Sequence, residues 1–239
     1  FVDTMLSALV LALGVVGAQA NPSLGTSRPQ VENVGDACQL NPGSITQSTD
    51  CGIVAGTGLS CGYPVGNVRV VAGDNHFLRR FLLSADHNIT SKYNVKNVQF
   101  GIEEIVLTPT TPQMPLAVNL YSIPTGASMT SENFVPVGNS TYKADASDSN
   151  SLASCDVVGT VDGSTSDLVV EFVAPDYKAN TAQQGTFYPG ANTAGQTEPG
   201  YIYAPECSIN EPTDFSALGY TVDLAMVVNG AANGQHFTL

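Results

Sequence analysis

Arg79 and Arg80 sit side by side in the run Phe77–Ser84 (FLRRFLLS), the most chemically loaded pair in the chain. Extended backbone sends successive side chains to opposite faces, so Arg79 shares its face with Phe77, Phe81 and Leu83. Such a face is core, and a guanidinium buried there without a carboxylate is very costly. Glu103 and Glu104, on the next long run, are the nearest acids by topology. The expectation is a structural Arg79–Glu103 pair, with ligand binding as a second role for Arg79. Tyr188, Tyr201 and Tyr203 surround the loop 189–199, with Asn192 and Gln196 inside it. Exposed rings there could stack on sugars while the amides bind hydroxyls, or the three rings could simply cover a sandwich edge.

The remaining motifs resolve into turns and loops. Gly58-Leu59-Ser60-Cys61-Gly62 matches G-x-S-x-G. A nucleophile elbow needs a strand before the serine and a helix after it, whereas here the surroundings are Gly/Cys-rich and Pro64 opposes a helix. Asp74-Asn75-His76 and Asp86-His87 could supply nitrogen and oxygen ligands to a divalent metal. They flank a strand of about eight residues, roughly 26 Å long, and so sit at its opposite ends. His236 reads as solvated. Asp145, Asp148 and Asn150 loosely match calcium-loop spacing but lack the central Gly and terminal Glu. Calcium at an acidic loop is the one cofactor left open; no metal site and no catalytic set are expected, and the protein is read as not an enzyme.

The elements that must position these residues belong to an acidic, turn-rich chain. Of 239 residues, 43% are hydrophobic and only 12% charged, against roughly 25% in ordinary domains. Eight Lys+Arg against 21 Asp+Glu give a formal charge of −13, which excludes nucleic acid and anionic membranes as partners. With 23 Gly, 14 Pro and no Trp, long helices are not expected. The candidate strands are Asn67–Ala72, Phe77–Ser84, Tyr93–Leu107, Leu116–Ile123, Ala153–Val161, Asp167–Ala174, Gly200–Ala204 and Tyr220–Asn229. Eight such runs without helical pattern between them predict an all-β fold, an antiparallel β-sandwich. Leu116, Val118 and Leu120 should face inward and Ala117, Asn119 and Tyr121 outward; Val222, Leu224, Met226 and Val228 should likewise oppose a mostly wet Thr221, Asp223, Ala225 and Val227. Asp167–Ala174 is apolar on both faces apart from Glu171 and reads as a central strand. Residues 144–154 and 180–197 read as loops, and residues 179–239 carry five acids and no Lys or Arg.

Residues 5–20, MLSALVLALGVVGAQA, end in Ala-Gln-Ala before Asn21, the shape of a secretory signal cut after Ala20. The stretch is short for a membrane span. Alternatively, a chain starting at Phe1 with an apolar helix resembles type IV pilins, although Met5 stands where those carry Glu and Pro22 ends the helix early. The domain reading is 1–20 signal segment or apolar helix, 21–66 a Cys/Gly-rich arm tied by disulfides, and 67–239 the sandwich. Cys38, Cys51, Cys61, Cys155 and Cys207 lack zinc spacing and fit disulfides of an exported protein. Their odd number leaves at least one thiol free or paired between chains. Asn88-Ile89-Thr90 and Asn139-Ser140-Thr141 are glycosylation sequons.

Several segments together resemble a recurring module of large secreted and surface proteins of bacteria. They are Phe77-Leu-Arg79-Arg-Phe81, Phe100-Gly-Ile-Glu103, Val118-Asn-Leu-Tyr121, Val169-Val-Glu-Phe-Val-Ala-Pro-Asp176, Tyr188 through Tyr201 with its Gly-Gln-Thr-x-Pro-x-Tyr stretch, and Ala204-Pro-Glu-Cys207. The resemblance covers about residues 75–230, implies a jelly-roll-like sandwich, and brings no catalytic residues. Where the module often ends in Met-His, this chain has Asp223-Leu-Ala-Met226. The resulting expectation is a secreted or cell-surface, non-enzymatic β-sandwich acting as an adhesive or structural subunit of an assembly. Its partners would be copies of itself or other surface proteins. The alternatives are a pilin-like filament subunit and a secreted carbohydrate-binding module that takes polysaccharide.

Overall fold

The computed structural model of the chain describes residues 22–26, 33–34, 38, 40–65, 68–71, 74–110, 112–177 and 185–233. Segment 1–20, with both of its readings, and His236 lie outside them. The lead-in carries β1 (Ser23–Thr26), β2 (Asn33–Val34), β3 (Ser44–Thr46), β4 (Ile53–Val54) and β5 (Leu59–Val65), and β6 (Val68–Val71) follows it. Then come β7 (Asn75–Phe81), β8 (Lys92–Leu107), β9 (Met114–Pro124), β10 (Val135–Ala144), β11 (Ser151–Asp162) and β12 (Ser166–Ala174). The chain continues with β13 (Gly185–Pro189), β14 (Ala191–Asn192), β15 (Gly200–Ala204), β16 (Ile209–Asp214), β17 (Asp223–Leu224) and β18 (Met226–Ala232).

Two antiparallel sheets carry the fold. Sheet one runs β10-β9-β12-β7-β15-β16, and sheet two runs β11-β8-β18-β3 with β13 also on β8. Neither closes into a barrel. The main core takes Phe77, Val118, Val170 and Phe172 from sheet one and Val98, Phe100, Phe187, Met226 and Val228 from sheet two. Phe172 stacks on Phe77 at 5.0 Å and on Phe100 at 4.8 Å, joining the layers; each such pair adds about 1 kcal/mol beyond its buried area.

The expected alternation holds in β9, where Leu116, Val118 and Leu120 are buried and Ala117, Asn119 and Tyr121 half-buried. Asp167–Ala174 becomes β12, flanked by β9 and β7 in the middle of sheet one. The expectation of a wet side in 220–229 is corrected: Asp223, Ala225 and Val227 are all buried. That run breaks at Ala225, whose carbonyl accepts from Gly101 N at 2.8 Å while its N–H donates to Gly190 O at 3.0 Å. The backbones cross so closely that a Cβ on Gly101 would lie 2.7 Å from Gly190 O, a place only glycine fits.

Segment 180–197, expected to be loop, contains β13 and β14, because pairing with β8 and β17 overrides its small polar composition. The loop expected over 144–154 shrinks to 145–150, since β10 runs to Ala144 and β11 starts at Ser151. The lead-in does more than hang as an arm. Its strand β3 pairs with β18 at the edge of sheet two, and Ile45, Leu59 and Cys61 belong to the main core.

Candidate functional site

Arg79 is fully buried on the inner face of sheet one, on the same side as Phe77 and Phe81. Its partners are neutral oxygens. Nη1 donates to Ser48 Oγ at 2.9 Å, and Nη2 donates to Gln196 Oε1 and to Glu198 O. Burial pulls the guanidinium down to about 10, and the nearby Asp223 carboxylate raises it in return. It therefore stays charged at neutral pH. Asp223, which the alternation placed on a wet side, is buried and accepts from Gly195 N at 2.8 Å.

The expected Arg79–Glu103 pair is corrected. Glu103 is the extra residue of a β-bulge, where Tyr188 opposes Glu104 but Pro189 opposes Ile102. A bulge re-aims its side chain, and the Glu103 carboxylate accepts from Gly56 N at 2.5 Å and Gly58 N at 2.6 Å. It thereby fixes the turn before β5. Gly58 is the first glycine of the G-x-S-x-G match, and a Cβ there would meet Pro189 O at 2.5 Å. Ser60 lies buried on β5, beside Cys61 in its disulfide. The motif builds a packed turn and strand with no exposed elbow.

The outer face of sheet one holds a different arrangement. Arg80 points there and binds Asp167 Oδ2 through Nε at 3.0 Å and Nη2 at 2.6 Å, and Ala127 O through Nη1 at 2.6 Å. Ala127 belongs to the β9–β10 connection, residues 125–134, which crosses this face as a strap. Ala127, Met129 and Phe134 pack on Leu78, Ile123 and Val169, and Ser131 N reaches Glu211 on the far edge strand β16 at 3.2 Å.

Beyond the strap lies a cluster centred on Glu171, only 6% exposed. Glu171 Oε1 lies 2.7 Å from His76 Nδ1, and Oε2 accepts from Asn119 Nδ2 at 2.7 Å and from Tyr121 OH at 2.8 Å. Burial pushes the carboxyl up, but the His76 bond and charge, with Asn119 and Tyr121, hold it below the usual carboxylate range. Burial and the Glu171 charge push the Tyr121 hydroxyl well above its ordinary value. Tyr203 stands edge-on to His76 at 4.7 Å, and Phe134 of the strap lies 5.3 Å from Tyr121. Register explains the grouping: Ala117, Val173, His76 and Tyr203 form one cross-strand row, and Asn119, Glu171, Leu78 and Tyr201 the next.

The structure separates the five residues expected around the tyrosine loop. Tyr201 and Tyr203 are half-buried on the outer face of sheet one. Tyr188 is buried in sheet two opposite Glu104. Asn192 is buried and donates to Asp50 O and Gly52 O, clamping the lead-in, while Gln196 accepts from Arg79. Asp145 and Asp148 are spent on their own turn, accepting from Ser147 N and Asp145 N, and Asp148 also takes the Tyr142 hydroxyl. Among the described residues no group of three or more His, Cys, Asp or Glu is placed to hold a metal ion, and no helix is long and apolar enough to cross a membrane. Asn88 and Asn139 are exposed. Cys38 bridges Cys51, and Cys61 bridges Cys207 across 146 residues. The odd thiol, Cys155, is buried in the core, out of reach of a cross-link to another chain, and burial raises its pKa.

Asn119, Tyr121, His76 and Glu171 escaped the sequence reading as a group. They come from three strands, and only the pairing of β9, β12 and β7 assembles them. The fold and this face define an open, disulfide-bonded antiparallel β-sandwich with a polar and aromatic shelf on one sheet. No family model and no curated protein matches the chain. Among solved structures it is similar to the cysteine protease and lectin-like domains of Cwp84, a surface layer associated protein of Clostridium difficile, at 11% identity and a TM-score of 0.35. The likeness covers 71% of this chain and 37% of that one, and at that score it carries no inference.

Proposed function

We propose that the protein is an extracellular, non-enzymatic, jelly-roll-like β-sandwich that works through the outer face of sheet one, as an adhesive or structural part of a surface assembly. One observation carries the reading. The inner face of this sheet is sealed into the core, while Asn119, Tyr121, His76, Tyr201 and Tyr203 stay half-exposed on the other side. Hydrogen bonds to Glu171 hold Asn119, Tyr121 and His76 in place before any partner arrives. Two disulfides support an oxidising compartment. The burial of Ser60 and Cys155 supports a non-catalytic role, because neither nucleophile meets solvent.

Arginine at Thr141, exposed on this face, tests the reading against arginine at Thr160, exposed on sheet two. Attachment of the purified protein to envelopes of its source cells should fall about tenfold for Thr141→Arg and hold for Thr160→Arg, since a misplaced charge costs binding at a desolvated contact. Equal behaviour of the two variants overturns the reading. The pilin-like alternative requires a mature start at Phe1, and N-terminal sequencing of native material that begins at Asn21 removes it.

A further inference from the structure

We infer that the shelf formed by Asn119, Tyr121, His76 and Tyr203, organised by Glu171, is a binding site for a neutral saccharide. This deepens the surface reading above by naming the ligand class of the same face. The first argument is what Glu171 does. It is an acceptor-only group, nearly fully buried, and both its oxygens are taken by side chains rather than by backbone. Each of those side chains is half-exposed. A carboxylate kept solely for stability would be served as well by buried donors. Here it orients three polar side chains that are themselves partly exposed.

The second argument is what those atoms offer. With Nδ1 on the carboxylate, His76 keeps Nε2 free of Glu171, and its side chain is 21% exposed. Asn119 keeps its Oδ1 as an acceptor beyond its bond to Glu171, while its amide also donates to the Tyr121 oxygen, which keeps its remaining lone pair. The result is a mixed set of donors and acceptors at one level, which matches sugar hydroxyls. The shelf is flanked by rings, Tyr203 beside His76 and Phe134 beside Tyr121. Flat apolar faces next to fixed polar groups match a pyranose, which presents C–H on its faces and hydroxyls at its rim.

The third argument is extent and charge. From Asn119 on β9 to Tyr203 on β15 is three strand steps, about 14 Å at the usual spacing, long enough for more than one sugar ring. The strap ends the shelf at Phe134, while Ala117 and Val173 leave the opposite row half-exposed. The centre of the shelf is the Glu171 carboxylate paired with His76, and the shelf residues include no Lys or Arg to receive a phosphate, sulfate or uronate, which leaves neutral sugars.

The test uses the whole protein on an array of neutral oligosaccharides and in depletion by insoluble polysaccharides. Wild type should bind at least one neutral glycan. Tyr203→Ala and Asn119→Ala should each weaken that binding about tenfold, as loss of a central contact does, while retaining the wild-type circular dichroism spectrum. Tyr203→Phe, which keeps the ring, should bind within about twofold, because the stacking face is unchanged. It keeps the idea testable if the alanine variant does not fold. No retention of wild type on any glycan, binding that neither Asn119→Ala nor a folded Tyr203→Ala alters, or a loss of about tenfold in Tyr203→Phe overturns the saccharide site. Preference for a peptide ligand overturns it too. If glycan binding is absent but envelope attachment still falls with Thr141→Arg, the surface reading stands and only the saccharide is lost.

Discussion

Arg79 and Arg80 are adjacent on β7, carry the same charge and are both buried, yet sheet one treats them in opposite ways. Arg80, on the outer face, meets a full counter-charge in Asp167 and a strap carbonyl. Arg79, on the inner face, is held by a serine hydroxyl, an amide oxygen and a backbone carbonyl, and its Nε meets no acceptor among the described residues. Its counter-charge, Asp223, acts from beyond hydrogen bonding and lifts the guanidinium back only partly against burial. The outer arginine organises a surface element. The inner one ties the lead-in at Ser48 and the 190s segment at Gln196 to the middle of the sheet, so its role is to close the sandwich.

The largest effect should follow from breaking the inner side. Arg79→Ala leaves a large cavity beside Phe77 and Phe81, strips Ser48 and Gln196 of their donor, and removes the charge facing buried Asp223. A loss of about 5 kcal/mol is expected from cavity and orphaned-charge costs together, read as the shift in midpoint of chemical denaturation. Arg79→Met refills the volume but not the charge and should recover part of that loss. Full recovery by Met would show that Arg79 serves as filler rather than as a tie.

The outer arginine should matter less globally and more locally. Arg80→Ala strands Asp167, which is 1% exposed, and frees the carbonyl of Ala127. Breaking one partner of such a pair costs about 3 kcal/mol. The distinguishing readout is hydrogen exchange. Amides of 125–134 should lose protection in Arg80→Ala and keep it in Arg79→Met, whereas uniform loss in both variants would erase the contrast between the two faces.

How much of this was legible before the structure depends on which physics each residue obeys. The two-residue period of β7 and β9 is local, so the inward turn of Arg79 and the outward turn of Tyr121 followed from sequence alone. β12 was legible as a central strand because both its faces are apolar. Glu103 defeated the pairing argument because a bulge shifts β8 by one residue, and nothing in Phe-Gly-Ile-Glu-Glu announces where the extra residue falls. β10, with Gly138 and Asn139 in its middle, and β13, next to small polar residues, are strands through pairing rather than propensity. The burial of Asn192 comes with its clamp on the lead-in at Asp50 and Gly52, a contact made across some 140 residues, and Asp223 is covered where Gly195 folds back onto it. The outer shelf was half visible. Tyr201 and Tyr203 marked the right strand, but their partners Asn119, Glu171 and His76 lie far away in sequence, and no spacing rule joins them.

The smallest effect, and the one that sharpens the comparison most, is in pH. Glu171 has a folded-state pKa held below its ordinary value, so the folded protein gives up that proton more readily than the unfolded chain. Its contribution to stability is therefore fully present above the usual carboxylate range and is lost as pH falls through the folded value. Glu171→Gln keeps the shape and removes the titration. Compared by denaturation across the acid range, wild type should lose stability on acidification faster than Glu171→Gln, and the two curves should converge at the acid end. Arg79, lowered only to about 10, does not titrate in that window, so Arg79→Met should leave the Glu171-dependent difference unchanged although it lowers both curves. Parallel curves for wild type and Glu171→Gln would mean that the carboxylate gains nothing from His76, Asn119 and Tyr121. In that case the outer face would not be preorganised as its geometry indicates.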